Sequence, residues 1–398
     1  MQDFEFCSYT RFIFGRDSEK SVGKVLKEEG ANTVMVVHDP GRFLYDSGLL
    51  NNINESLSNS GLKILELGNV KPNPLISYAE EGIKAARENN VDYLLAVGGG
   101  SVIDTAKSIS AGITYDGPLW DLFEGNGGKT DPSKKIPVAV ILTNPATGSE
   151  SGYGCMMDNN ELQIKGALTS AGNWLRPEIC FMNPELTFSL PASISGTSIV
   201  DMYSHIAERY FCNTPEIGVI DYMSEAAMRY LVENGHKVIE EPADYETRAN
   251  IMWVGSIAHN DTLGVGRKKD MASHDIGHVL SALYDTPHGN TISIIMPSWM
   301  RHIYKNDLPR FVRYAKEVFG IENTGPDDEN AAFAGIEATQ EWFEYMGCPT
   351  GFSAGRIPTE DVERIVNKAV KPNGRPTGRC YFLYHDDVEA IVKDAASR

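Results

Sequence analysis

The chain has no apolar run approaching the roughly 18 residues that a membrane-spanning helix requires, so none is expected. It has no C-x-x-C pair. Its six cysteines (Cys7, Cys155, Cys180, Cys212, Cys348 and Cys380) are scattered, which fits a chain with reduced thiols in the cytosol. No G-x-G-x-x-G follows the first strand-like run, and no G-K-[ST] follows the one glycine cluster. The usual dinucleotide fingerprint and the P-loop are therefore both missing. Basic residues are in deficit, 36 Lys and Arg against 54 Asp and Glu, for a formal net charge of −18. That balance argues against nucleic acid or an anionic membrane surface as the main partner. The opening M-Q-D-F-E-F-C carries neither a basic n-region nor an apolar h-region, so no signal peptide is expected and the cytoplasm is the expected compartment. Internal repeats and low-complexity tracts are also lacking.

What is present is ordinary soluble-protein composition over 398 residues, 42% hydrophobic and 23% charged, enough for two or three domains with a real core. In the first half, strand-like runs at 33–38, 62–67, 91–97 and 136–142 alternate with helical patterns at 46–59, 75–89 and 101–112. Continuous apolar strands separated by helices predict a mostly parallel, doubly wound sheet that binds a nucleotide at the carboxyl ends of its strands. Gly98-Gly99-Gly100-Ser101 follows the strand 91–97 directly. Three glycines let the backbone approach a pyrophosphate, which the helix start can bind; equally, Ser101 and Asp104 fit a capping box. Asp39 ends the strand 33–38, where a carboxylate suits an adenosine ribose and repels a 2′-phosphate. A turn aspartate before Pro40-Gly41 would look the same, and Arg42 nearby could offset the repulsion. Thr143 to Glu150 offers small hydroxyl side chains after the strand 136–142.

After about Leu190-Pro191 the β signals fade, and helical patterns cover 193–212, 216–235, 244–260, 271–283, 308–319, 330–346 and 359–370. The division predicted is 1–190, an α/β dinucleotide-binding domain, and 191–398, a helical metal-binding and substrate domain, with the active site expected in the cleft between them. The segment 372–385 is turn-rich and has no evident role.

The stretch Asp270 to Gly289 holds His274, His278 and His288, a third of the nine histidines. His274 and His278 stand four apart, so on a helix their rings leave one face about 6 Å apart along the axis. Asp201 and His205 repeat that spacing upstream. Two helices thus each offer a pair of donors, and a loop histidine, His288, can close the set. One Asp and three His suit divalent iron or zinc and leave it acidic enough to polarise a carbonyl. A lone His-x3-His is more often two packed histidines than a metal site. The remaining His38, His236, His259, His302 and His385 have no partner at ligand spacing and read as surface or packing residues.

The motifs together resemble the iron-containing alcohol dehydrogenase family, in its butanol dehydrogenase and aldehyde reductase branch. They are P-N-P at 72–74, G-G-G-S-V-I-D-T-A-K at 98–107, A-T-G-S-E at 146–150, V-D-M-Y-S-H-I-A-E at 200–208, A-N-I-M-W at 249–253, S-H-D-I-G-H at 273–278 and S-A-L-Y-D-T-P-H-G at 281–289. The resemblance implies metal ligands Asp201, His205, His274 and His288, with His278 a non-ligating histidine facing nicotinamide and substrate. It implies dinucleotide contacts at Gly98, Gly99, Gly100, Ser101, Asp104, Asn73, Thr143, Thr147 and Lys165, alongside Asp39. Fe2+ is favoured over Zn2+, NAD(H) over NADP(H), and a homodimer or higher homo-oligomer is expected. The family pattern differs at Met271, Val279 and Asn290-Thr291, beside the substrate and metal. The reaction implied is interconversion of primary alcohols and aldehydes. The competing expectation is a metal-dependent lyase like dehydroquinate synthase, which needs a basic pocket; only Arg209 and Arg267-Lys268-Lys269 are basic near the metal motifs.

Overall fold

The computed structural model describes residues 1–123, 132–146, 148–169, 174–214, 218–370 and 375–398. The chain divides into two compact units, one of residues 7–190 and 243–256, the other of residues 1–6, 191–242 and 257–398.

In the first unit the strands are β1 (Arg11–Phe14), β2 (Thr33–His38), β3 (Lys63–Leu67), β4 (Tyr93–Gly99), β5 (Val138–Asn144), β6 (Gly154–Asn159), β7 (Ile164–Thr169) and β8 (Ile179–Met182). Six form a sheet in the order β1-β8-β5-β4-β2-β3, every pair parallel; β6 and β7 form a separate antiparallel hairpin. The helices are α1 (Val22–Glu28), α2 (Arg42–Asp46), α3 (Leu49–Asn59), α4 (Ile76–Glu88) and α5 (Gly100–Gly112).

Why the strands are apolar throughout follows from the faces they bury. Met35, Val37, Leu94, Ala96, Val138 and Val140 join Ile83 of α4 and Ile103, Ala106 and Ile109 of α5 in one core. Their neighbours Val34, Val36, Leu95, Val97, Ala139 and Ile141 join Val25 of α1 and Ile53 and Leu57 of α3 in another. With side chains alternating across a sheet covered on both sides, neither parity can be polar. Met252 belongs to the first of these cores, and Trp253 meets Phe12 edge-to-face at 5.2 Å, which is how residues 243–256 come to belong to this unit.

Strands β2 and β4 are neighbours, but the chain leaves β2 for β3 on one side and β4 for β5 on the other. Such a reversal opens a crevice at the carboxyl ends of the two strands. Asp39 and Gly98 sit at that point, and a Cβ on Gly98 would come within 2.6 Å of Val102 and 3.3 Å of Asp39 Oδ2. The helix after β4 starts at Gly100, and Gly99 caps it without any side-chain hydrogen bond. Ser101 is therefore inside α5 rather than at its N-cap. The capping box that Ser101 and Asp104 fit does not form, because the N-cap falls on Gly99, two residues earlier.

The second unit is helical: α6 (Ala192–Tyr210), α7 (Val219–Asn234), α8 (Lys237–Glu240), the end of α9 (Tyr245–His259), α10 (Ala272–Tyr284), α11 (His288–Ile303), α12 (Leu308–Phe319), α13 (Glu329–Tyr345), α14 (Phe352–Gly355), α15 (Val362–Ala369) and α16 (His385–Ala396). Nearly every residue of α6 from Ser198 onward is buried, the mark of a helix surrounded by others. Helix α11 corrects one expectation: His288 is its first residue, not part of a loop.

The segment after residue 374 has a role that its sequence did not disclose. The N–H groups of Cys380 and Tyr381 donate to Asp270 Oδ2 at 2.9 and 2.8 Å, while Asp270 Oδ1 accepts from Ala272 N at 3.1 Å. A buried carboxylate thus ties this segment to the start of α10, where Met271 adopts φ 65°. Gly378 has φ +78°, and a Cβ there would lie 2.7 Å from Asp270 Oδ1 and 2.8 Å from the Tyr381 carbonyl oxygen. Gly378→Ala is expected to destabilise the protein by about 1–3 kcal/mol; an unchanged urea-unfolding midpoint would count against this anchor.

Candidate metal centre

Helix α6 places Asp201, His205 and Glu208 at i, i+4 and i+7, on one face. Helix α10 supplies His274, and α11 begins with His288. One donor atom from each of Asp201, His205, His274 and His288 lies within 4.8 Å of all the others. Asp201 Oδ1 is 3.5 Å from His205 Nε2, 3.9 Å from His274 Nε2 and 3.8 Å from His288 Nε2. Donors about 2.0–2.2 Å from one divalent ion would have roughly that spacing. The first three residues are buried and His288 is half-buried.

The donor set also fits a cation by its protonation. Glu208, fully buried, accepts from Ser273 N at 2.7 Å and meets His274 Nδ1. A carboxylate only accepts, so Nδ1 is the donor in this contact and Nε2 is turned toward Asp201. That Nε2 is buried and has no hydrogen-bond partner among the described residues, a cost of about 1–3 kcal/mol that a bound cation offsets. Burial, with the neighbouring His274, His259 and Arg209, holds His205 well below the ordinary histidine range; its neutral ring is the form that binds a metal.

His278 stands outside the four. Its ring stacks on His288 at 5.0 Å and lies 6.2 Å from His274. Asn290, next to His288 on α11, accepts from Thr197 of α6 at 3.0 Å, and Gly289 leaves no room for a Cβ against the Thr197 carbonyl oxygen, 2.3 Å away. Two side chains went unrecognised in the sequence. Glu208 carried a signal, its seven-residue spacing from Asp201. His259, read as a packing residue, in fact lies 4.3 Å ring to ring from His205; nothing in its spacing could have placed it there, because 54 residues separate the two.

The residues expected to hold a dinucleotide lie in the first unit. Gly98, Gly99, Gly100 and Ser101 form the β4–α5 turn, beside Asp39, whose Oδ1 accepts from Gly41 N at 2.6 Å. Thr143 is buried at the end of β5. Lys165 donates to Asn73 Oδ1 at 2.9 Å, and its Nζ is 3.9 Å from Asp158 Oδ1. Thr147 lies outside the described residues. Asp104 is half-buried behind the turn, where it accepts from Ser149 Oγ at 2.6 Å and Met156 N at 3.0 Å. Lys107 donates to Ser149 Oγ and to the Gly152 and Gly154 carbonyls. Burial pushes the Asp104 carboxyl up and the Lys107 ammonium down. This pair clamps the loop at 148–154 to α5.

Comparison with known proteins agrees with this geometry. Residues 9–184 match the family model for iron-containing alcohol dehydrogenase, and residues 195–396 match that for the C-terminal part of the Fe-containing alcohol dehydrogenase family. The chain is 35% identical to the probable NADH-dependent butanol dehydrogenase 1 of Bacillus subtilis, over 99% of each chain. It is 31% identical to the NADPH-dependent aldehyde reductase YqhD of Escherichia coli, over 92% of this chain and 93% of that one. Among solved structures, NADH-dependent butanol dehydrogenase A from Thermotoga maritima superimposes with a TM-score of 0.93 at 35% identity, covering 100% of this chain and 99% of the other. With both units matched and the donors assembled, the chain belongs to the iron-containing alcohol dehydrogenase family.

Proposed function

We propose that the protein is a metal-dependent alcohol dehydrogenase and aldehyde reductase that interconverts butanol-like primary alcohols and their aldehydes, using NADH in preference to NADPH. The observation that carries this reading is the buried set Asp201, His205, His274 and His288, with Glu208 fixing one imidazole. Fe2+, or Zn2+ in its place, would polarise a carbonyl and the dinucleotide would supply or accept the hydride. Asp201 contributes one negative charge, so a divalent ion held here keeps net positive charge toward a substrate oxygen. Glu208 keeps the His274 Nε2 lone pair aimed at the ion. His278, stacked beside His288 and half-buried, passes a proton between the alcohol oxygen and water, work suited to an imidazole near neutral pH.

The cofactor preference rests on Asp39. Its carboxylate stands at the β2–β4 crevice, where a ribose hydroxyl can donate to it and a 2′-phosphate meets repulsion. Arg42, the residue able to offset that repulsion, has its Nε 3.5 Å from Asp46 Oδ2. Asn73, Lys165, Thr143 and the turn Gly98–Ser101, with Asp104 behind it, would complete the dinucleotide site. The lyase alternative loses support because three of the four basic residues it would use, all but Lys268, are engaged elsewhere. Arg209 bonds the His205 carbonyl oxygen and His259, Arg267 pairs with Asp221 at 3.0 Å, and Lys269 pairs with Asp261.

We further place the enzyme in the cytoplasm as a homodimer or larger homo-oligomer. Its six cysteines are all free thiols, and among the described residues no helix is long and apolar enough to cross a membrane.

Anaerobic oxidation of NADH and NADPH with butanal, using iron-loaded, zinc-loaded and chelator-stripped protein, tests the reading. Turnover that requires metal and favours NADH is expected; silence with every metal, both cofactors and several aldehyde lengths would refute it. His278→Ala should lower turnover by about 10²–10⁴-fold with metal content unchanged. Loss of the metal instead would make His278 a ligand.

A further inference from the structure

In the helical unit three imidazoles stack in sequence. His205 lies between His259 and His274, its ring centroid 4.3 Å from each, with tilts of 33° and 31°. The two outer rings are held differently. His274 is fixed by Glu208 through its Nδ1. His259, the last residue of α9, receives a hydrogen bond at Nδ1 from Arg209 Nη2 at 3.3 Å. Nη1 of the same guanidinium donates to the His205 carbonyl oxygen at 2.7 Å. Arg209 is itself buried and lies 3.8 Å from the Asp261 carboxylate. One guanidinium therefore secures both the helical turn that carries His205 and the ring lying against it.

His205 needs that support for a reason specific to its own ring. A histidine's χ2 is a broad torsion with no sharp minima, and a ring that turns exchanges the nitrogen it presents. Metal-binding histidines are ordinarily held by a hydrogen bond on the nitrogen away from the ion. His274 has one; His205 Nδ1 is buried with no hydrogen-bond partner among the described residues. Two imidazoles, in contrast, lie against its ring, each 4.3 Å away centroid to centroid. The plane that puts Nε2 3.5 Å from Asp201 Oδ1 is thus set by the stack.

We propose that His259 is a positioning residue for the metal centre: its ring, lying against that of His205, holds the His205 ring in its binding orientation. This rests on the reading of Asp201, His205, His274 and His288 as one metal site. Because Arg209 donates to Nδ1, the proton of His259 is on Nε2, and the ring stacks in its neutral form.

Two substitutions separate the ring from its hydrogen bond. His259→Phe keeps an aromatic face against His205 and loses the acceptor. His259→Asn keeps an acceptor for Arg209 and loses the ring. Chelator-stripped protein is titrated with Co2+ against a chromophoric competitor while the visible d–d band of the bound ion is recorded, and circular dichroism checks the fold. Wild type should bind one Co2+ and Asp201→Ala should bind it far more weakly. His259→Asn should lose about ten-fold or more in affinity with an altered band, and His259→Phe should stay close to wild type in both. Wild-type affinity and spectrum in His259→Asn would overturn the proposal, as would a loss in His259→Phe equal to or greater than that in His259→Asn. If wild type binds Co2+ no better than Asp201→Ala, the metal-site reading fails instead, a result distinguishable from failure of the stack alone.

Discussion

The arrangement of the helical unit depends on one electrostatic requirement. A carboxylate, Asp201, is buried on a helix that is itself buried, facing nitrogen atoms of three imidazoles 3.5–3.9 Å away. Taking a charge from water into such a place is costly unless it is paired or coordinates a metal. A divalent cation shared by the four donors would supply the compensating charge. The same ion would take the lone pair that Glu208 leaves exposed on His274. Much of the local structure serves to bring these groups together. Asp270 fastens the start of α10, Thr197 and Asn290 join α6 to the start of α11, and Gly289 admits the close backbone approach between them.

The α/β unit answers a different constraint, that a parallel sheet must be covered on both faces. Its alternating residues sort into two separate cores, and the strand order places one reversal, at β2 and β4, where Asp39 and the glycine turn meet. Behind that turn, Asp104 and Lys107 hydrogen-bond to the loop at 148–154.

Much of this was legible in the residues. The runs at 33–38 and 62–67 and the helical patterns at 75–89, 101–112, 308–319 and 330–346 match observed elements to within a residue or two; the run 33–38 is apolar on both faces, and the helices carry the period of a buried face. Edge strand β1 was not legible, four residues long and only half covered, nor was the hairpin of β6 and β7. Helix α11 escaped notice for the opposite reason. It is buried nearly all round and contains Pro297, so it shows neither an amphipathic stripe nor an uninterrupted helical signal. Of the donors, Asp201 and His205 were readable as a pair four apart on one helix, whereas the second such pair, His274 and His278, contributes only His274. What holds them was not readable, since Glu208 meets His274 across 66 residues and Arg209 meets His259 across 50. Contacts of that range are made by tertiary packing and leave no local period.

The account turns on four side chains sharing one ion, and anomalous X-ray scattering at the metal edge, from crystals of protein purified without oxygen, tests that most directly. The expected result is a single peak about 2.0–2.2 Å from donor atoms of Asp201, His205, His274 and His288, with His278 and His259 beyond bonding distance. A peak coordinated by His278 in place of His288, or no peak at these residues in protein that carries metal, would contradict it.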